Sequence, residues 1–133
     1  MLKVLIIDDD DIVIFIQKKM MMNHGISDDP ISFKKAANAL SFLKELEEET
    51  DEDYLILLDI NMPEMDGWQF LEEVGKCPCS DKTHVIMVTS SIDTTDKEKA
   101  SKYPMVKEFV EKPISSKDCE RIKNIPEISQ LLN

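Results

Sequence analysis

Five short runs of β-branched, aromatic and aliphatic residues recur along this chain: Lys3 to Ile7, Ile31 to Phe33, Tyr54 to Leu58, His84 to Val88 and Val106 to Val110. None is long enough to form a helix alone. Those starting at Lys3, Tyr54 and His84 are almost unbroken in apolar character, as expected of strands buried on both faces of a parallel sheet. Helical periodicity fills the gaps. Val13, Ile16, Met20 and Met21 give a first helix one apolar face, with acidic residues at its start suiting the macrodipole and Gly25 as its C-terminal cap. Leu40, Leu43 and Leu46 mark a second helix, and Phe70, Leu71 and Val74 a third that begins near Asp66. Asp93 to Lys102 is a polar fourth; Ser115 and Asp118 cap a fifth that contains Ile122 and that Pro126 must interrupt or end. The charged segment Glu47 to Asp53 reads as a surface loop and the best place for an insertion. Strand and helix therefore alternate five times, which predicts an α/β fold: a doubly wound, five-stranded parallel sheet with helices on both faces and right-handed crossovers.

A chain of 133 residues with 42% hydrophobic content suits one domain with a single packed core, spanning 1–133 with no output domain. The formal net charge of -11 argues against nucleic acid and against acidic membrane surfaces, both of which would repel it. The N-terminus reaches Asp8 after four apolar residues and lacks a secretion signal, and runs such as Ile12 to Ile16 are too short to span a bilayer. Three cysteines, an odd number without an export signal, suggest reduced thiols and a cytoplasmic location. Cys77-Pro78-Cys79 has the wrong spacing for a redox or zinc pair, and His24 and His84 are far apart in sequence, so these side chains are read as structural.

In open parallel sheets, ligands bind outside the carboxyl ends of the strands. Here the polar residues gather at those ends: Asp8 and Asp9 after the first strand, Asp59 after the third, Thr89 after the fourth and Lys112 after the fifth. Taken singly, each has an ordinary reading, as a solvated helix start, a sheet threonine or a loop lysine before proline. Four strand ends carrying the set together is far harder to attribute to chance. Carboxylates brought together repel by about 4 kcal/mol per pair at 4 Å and an effective dielectric of 20. A hard divalent cation, Mg²⁺ or Mn²⁺, is the compensation expected for oxygen ligands. Asp9 and Asp59 are candidate direct ligands, Asp8 a ligand directly or through water, and the Asn61 backbone carbonyl a fourth. Beside such a metal Asp59 can attack phosphorus, Lys112 can pair with Asp59 and then with a phosphoryl oxygen, and Thr89 can donate its hydroxyl hydrogen.

The order Asp8-Asp9, then Asp59 within Asp-Ile-Asn-Met-Pro-Glu-Met-Asp-Gly, then Val88-Thr89-Ser90, then Lys112-Pro113, closely resembles the receiver domains of two-component response regulators, and most closely the stand-alone chemotaxis-regulator type. The resemblance covers essentially the whole chain. It implies a flavodoxin-like strand order 2-1-3-4-5, and phosphorylation of Asp59 by a histidine kinase or histidine phosphotransfer protein, with Mg²⁺ held by Asp8, Asp9, Asp59 and the Asn61 carbonyl. It further implies that Thr89 and Phe109 move together as a switch and that Asn61 and Ser91 tune dephosphorylation. Output would pass to an unidentified protein partner, or the chain would relay the phosphoryl group.

Three departures fall on the face that such domains present to partners: Lys102-Tyr103-Pro104-Met105-Val106 ahead of the fifth-strand aromatic, Phe109 where many relatives carry Tyr, and Pro126 in the last helix. Trp68 is read as a helix-packing residue close enough to the site to report metal binding by fluorescence. Two other readings compete. A haloacid-dehalogenase-type phosphohydrolase would use Asp8 but leave the Asp59 loop unexplained, and a receiver-fold binding module without phosphotransfer would have no need for the acidic cluster.

Overall fold

The computed structural model describes residues 2–45 and 52–132. Its strands are β1 (Leu2–Ile7), β2 (Ile31–Phe33), β3 (Asp53–Asp59), β4 (Thr83–Thr89) and β5 (Val106–Glu111). The helices are α1 (Asp11–Asn23), α2 (Ala36–Lys44), α3 (Gly67–Val74), α4 (Thr94–Ala100), α5 (Ser116–Lys123) and α6 (Pro126–Ser129), with a 3-10 turn at Ser80–Lys82 before β4. All strand pairs are parallel, and the sheet order is β2-β1-β3-β4-β5.

The period of two along each strand divides the core in half. Leu5, Ile7, Ile56, Leu58, Val85 and Met87 face one way and pack with α2 and α3 through Leu40, Leu43, Phe70 and Leu71. Val4, Ile6, Leu55, Leu57, Ile86 and Val88 face the other way and meet Ile14 and Met21 of α1 and Cys119 and Ile122 of α5. Each fully buried aliphatic side chain contributes about 1.5–3 kcal/mol relative to exposure.

Caps set where the helices begin. Asp10 accepts hydrogen bonds from the Ile12 and Val13 backbone N–H groups, while Asp66 with Gln69 and Ser115 with Asp118 form reciprocal capping boxes. Gly25, at φ +69°, takes the left-handed conformation that ends α1. Pro126 does more than stop a helix. α5 ends at Lys123, and Pro126 then occupies the first turn of α6, where no backbone N–H is required, delivering Ile128 into the second core half.

Two expectations need correction. The buried stripe of α1 is Ile14, Gln17 and Met21, with Val13, Ile16 and Met20 only half-buried beside it; Ile12, Phe15 and Met22 are exposed. Apolar residues occur all round this helix, so periodicity alone could not select the face. Asp53 is not in a loop: it opens β3, and its Oδ2 lies 3.1 Å from Nε2 of His84 on β4. Leu46 and residues 47–51 of the expected loop lie outside the described residues.

Gly67 brings α3 against the end of β3. Its N–H donates to the Ile60 carbonyl at 2.9 Å, and an added Cβ would lie 2.9 Å from the Asp59 carbonyl oxygen and 3.0 Å from the Ile60 Cα. Those are backbone atoms that cannot rotate away. Gly67→Ala is therefore expected to cost about 1–3 kcal/mol, read from the urea midpoint at unchanged slope.

Candidate functional site

The sheet order places β1 and β3 side by side, so Asp8, just beyond β1, lies against Asp59, the last residue of β3. β4 ends at Thr89 on the other side of β3. The backbone N–H of Lys112 donates to the Thr89 carbonyl at 2.8 Å, which extends the β4–β5 pairing and turns the lysine back over the strand ends. The Lys112–Pro113 peptide is cis.

Lys112 Nζ lies 2.8 Å from Asp8 Oδ2 and 3.2 Å from Asp59 Oδ1, bridging two carboxylates that are almost fully buried. Asp8 Oδ1 also accepts the Asp10 backbone N–H at 2.9 Å. Asp9 is exposed at the rim. One carboxylate oxygen from each of Asp8, Asp9 and Asp59 falls within 4.8 Å of the others. Burial pushes the Asp59 carboxyl above its ordinary pKa, and the charge of Asp8 adds to the shift. The Lys112 charge and hydrogen bond and the Asn61 backbone N–H pull the other way without overcoming it. For Lys112, burial disfavours the ammonium, but contacts with Asp8 and Asp59 outweigh this and hold its pKa above the usual value.

Three carboxylates facing one ammonium leave two negative charges uncompensated. At 4.8 Å and an effective dielectric of 20, each carboxylate pair repels by roughly 3 kcal/mol. An all-oxygen donor set with a residual charge of two suits a hard divalent cation, which is the fit expected for Mg²⁺ or Mn²⁺.

Thr89 is buried and its hydroxyl donates to the Ser91 carbonyl at 3.3 Å. Asn61 and Ser91 are exposed at the rim. They line, with Ile60, Trp68 and Thr89, a cavity of about 400 Å³. Phe109 is only 9% exposed and already belongs to the core half that contains Met87 and Ala100. A partner that sequence reasoning missed is Glu111, whose Oε1 accepts the Ile92 N–H at 3.2 Å and ties the β4–α4 loop to β5. No local signal identifies that contact, because it depends on the β4–β5 register.

The remaining reactive side chains are occupied elsewhere. His24 lies 3.3 Å from the Ser116 hydroxyl and 3.6 Å from Glu120. All three cysteines are buried and free, and burial with nearby carboxylates pushes the Cys119 thiol up to about 11, away from thiolate chemistry at neutral pH. Among the described residues no helix is long and apolar enough to cross a membrane.

Comparison with known proteins agrees with this geometry. The family model described as the response regulator receiver domain matches residues 4–123. A sensor histidine kinase, CheAY of Helicobacter pylori, is 35% identical over 85 residues, which cover 64% of this chain and only about a tenth of that protein's length. Among solved structures, a two-component response regulator from Cytophaga hutchinsonii is 30% identical with a TM-score of 0.82, covering 92% of this chain and 94% of that one. Chemotaxis protein CheY4 of Vibrio cholerae, at 19% identity, a TM-score of 0.72 and coverage of 92% and 95%, shares the fold.

Proposed function

The chain belongs to the response regulator receiver domain family, whose members are phosphoacceptor signalling proteins, and from that premise we propose that Asp59 accepts a phosphoryl group from a phosphohistidine of a histidine kinase or histidine phosphotransfer protein. The observation that carries the assignment is the Lys112 ammonium bridging Asp8 and Asp59 at the carboxyl ends of the β-strands. Asp59 Oδ attacks phosphorus as the bond from phosphorus to the donor nitrogen breaks, giving an acyl phosphate and free imidazole. Asp8, Asp9, Asp59 and the Asn61 carbonyl would hold a Mg²⁺ or Mn²⁺, which would supply charge neutralisation for the phosphoryl oxygens.

Lys112 is already within ion-pair distance of Asp59 and needs only a small side-chain movement to follow the new negative charge. Thr89 releases the Ser91 carbonyl and donates to a phosphoryl oxygen instead. Because Phe109 is buried from the start, its coupling to Thr89 works through repacking inside the core and not through a long swing from solvent. Moving the resting and activated populations from 1:99 to 99:1 takes about 5.5 kcal/mol, which charge-assisted hydrogen bonds and a metal can supply together. Asn61 and Ser91, at the rim, control access of the hydrolytic water.

Residues 4–123 act as a receiver domain in the cytoplasm and signal through contact with another protein; the net charge of -11 disfavours nucleic acid and acidic membranes as the reader. Incubation with acetyl phosphate and Mg²⁺ followed by peptide mass spectrometry tests the assignment. One acid-labile phosphoryl group on the peptide containing Asp59 is expected. Absence of label would favour a receiver-fold binding module without phosphotransfer, and label on another residue would overturn the role of Asp59.

A further inference from the structure

Trp68 and Glu72 lie one turn apart on α3, on the face toward the segment that leaves α4. Glu72 Oε1 accepts a hydrogen bond from the Tyr103 hydroxyl at 2.9 Å, and the Tyr103 ring centroid lies 6.3 Å from that of Trp68. Lys99 of α4 places its Nζ 5.5 Å from the Trp68 ring centroid. These contacts matter because α4 has little else to hold it: Ala100 is its one buried residue. At its other end α4 follows a loop held by the Thr89 hydroxyl on the Ser91 carbonyl and by the Ile92 N–H on Glu111. Both ends of a weakly packed helix are therefore fastened by polar and ring contacts, and one fastening uses the hydroxyl assigned to the phosphoryl group.

We propose that Trp68, Glu72 and Tyr103 form a latch that holds α4 in its resting position and thereby sets how sensitively the domain responds to phosphorylation of Asp59. The inference rests on Asp59 being the acceptor. When Thr89 turns to the phosphoryl group it frees the Ser91 carbonyl, and the loop before α4 can shift. The helix then moves only as far as the α3 contact permits. A contact made in the resting state alone opposes activation, so weakening it raises the activated population and, by linkage, the affinity for anything that binds the activated form.

Titration of the full chain with beryllofluoride and Mg²⁺, followed by fluorine NMR, measures that affinity. Tyr103→Phe and Glu72→Met are each expected to lower the apparent Kd about two- to fivefold, the yield of one partly exposed hydrogen bond. The double variant should match either single one, since both remove the same interaction. Lys99→Ala, at an exposed position, loosens the same latch by removing the ammonium beside the Trp68 ring and should move Kd in the same direction even if either of the first two variants folds poorly. Unchanged or weaker binding in Tyr103→Phe overturns the latch, and tightening confined to Glu72→Met overturns it too, because that pattern is a charge effect. Failure of the acceptor reading looks different: wild-type protein that does not bind the mimic, or Asp59→Asn that binds it equally well.

Discussion

Asp59→Asn is expected to abolish labelling by acetyl phosphate and, in the presence of chelator at neutral pH, to make the resting protein more stable than wild type. The first effect follows from removal of the nucleophile. The second follows from electrostatics. Burial, then the Asp8 charge, raises the Asp59 pKa in the folded state. A carboxyl with a raised folded pKa contributes stability that is complete below its unfolded value, near 3.8, and lost as pH rises through the folded value. At neutral pH the ionised side chain therefore opposes folding, and asparagine, similar in shape and uncharged, relieves it. The gain is expected to be on the order of 1 kcal/mol, because loss of the Lys112–Asp59 ion pair offsets part of the relief. Urea midpoints of both proteins across about pH 4 to pH 7 should diverge as pH rises, with wild type falling behind. Mg²⁺ should close the gap, because it stabilises wild type more than the variant. Parallel pH profiles would mean that Asp59 is not the strained carboxylate.

Lys112→Ala should have the largest effect on the fold of any single change at the site. It leaves Asp8 and Asp59, both nearly inaccessible to water, facing each other without a cation. Removing one member of a buried ion-paired group costs about 3–5 kcal/mol, much of it the burden of the stranded charges. Two conditions should recover part of the loss: lower pH, which protonates a carboxylate, and millimolar Mg²⁺, which replaces the missing positive charge. Wild type behaves differently. The Lys112 pKa is raised in the folded state, so its own contribution is complete below about 10.5 and is lost only as pH rises through the folded value. Its stabilisation therefore does not vary across the neutral range. A loss below about 0.5 kcal/mol would place Lys112 among ordinary surface lysines.

Much of the site was legible because its signals are local. A run such as Tyr54 to Leu58, bounded by a charged segment and a Pro/Gly loop, reads as a strand buried on both faces, which puts the residue after it at the sheet's edge; the position of Asp59 follows from that reading. The same reasoning places Asp8, Thr89 and Lys112. Side-chain caps are equally local: Ser115 with Asp118 begins a helix where the spacing says it should, and the third helix starts at Asp66 as expected, with Gln69 completing a capping box that the structure revealed. Strand order is different. Neither period nor length distinguishes the possible orders, and 2-1-3-4-5 came with the family resemblance before the sheet bore it out.

The amino-acid sequence by itself determined the alternating α/β pattern, the helix starts and which residues stand at the carboxyl ends of the strands, since each depends on side chains within about one turn or one strand of each other. Only the tertiary structure decided the rotation of α1, the Asp53–His84 pair, the early burial of Phe109, the reach of Lys112 to two carboxylates at once and the contact of Tyr103 with Trp68 and Glu72. Those features are set by lateral order in the sheet and by packing between elements distant in the chain. Local periodicity carries no information about either.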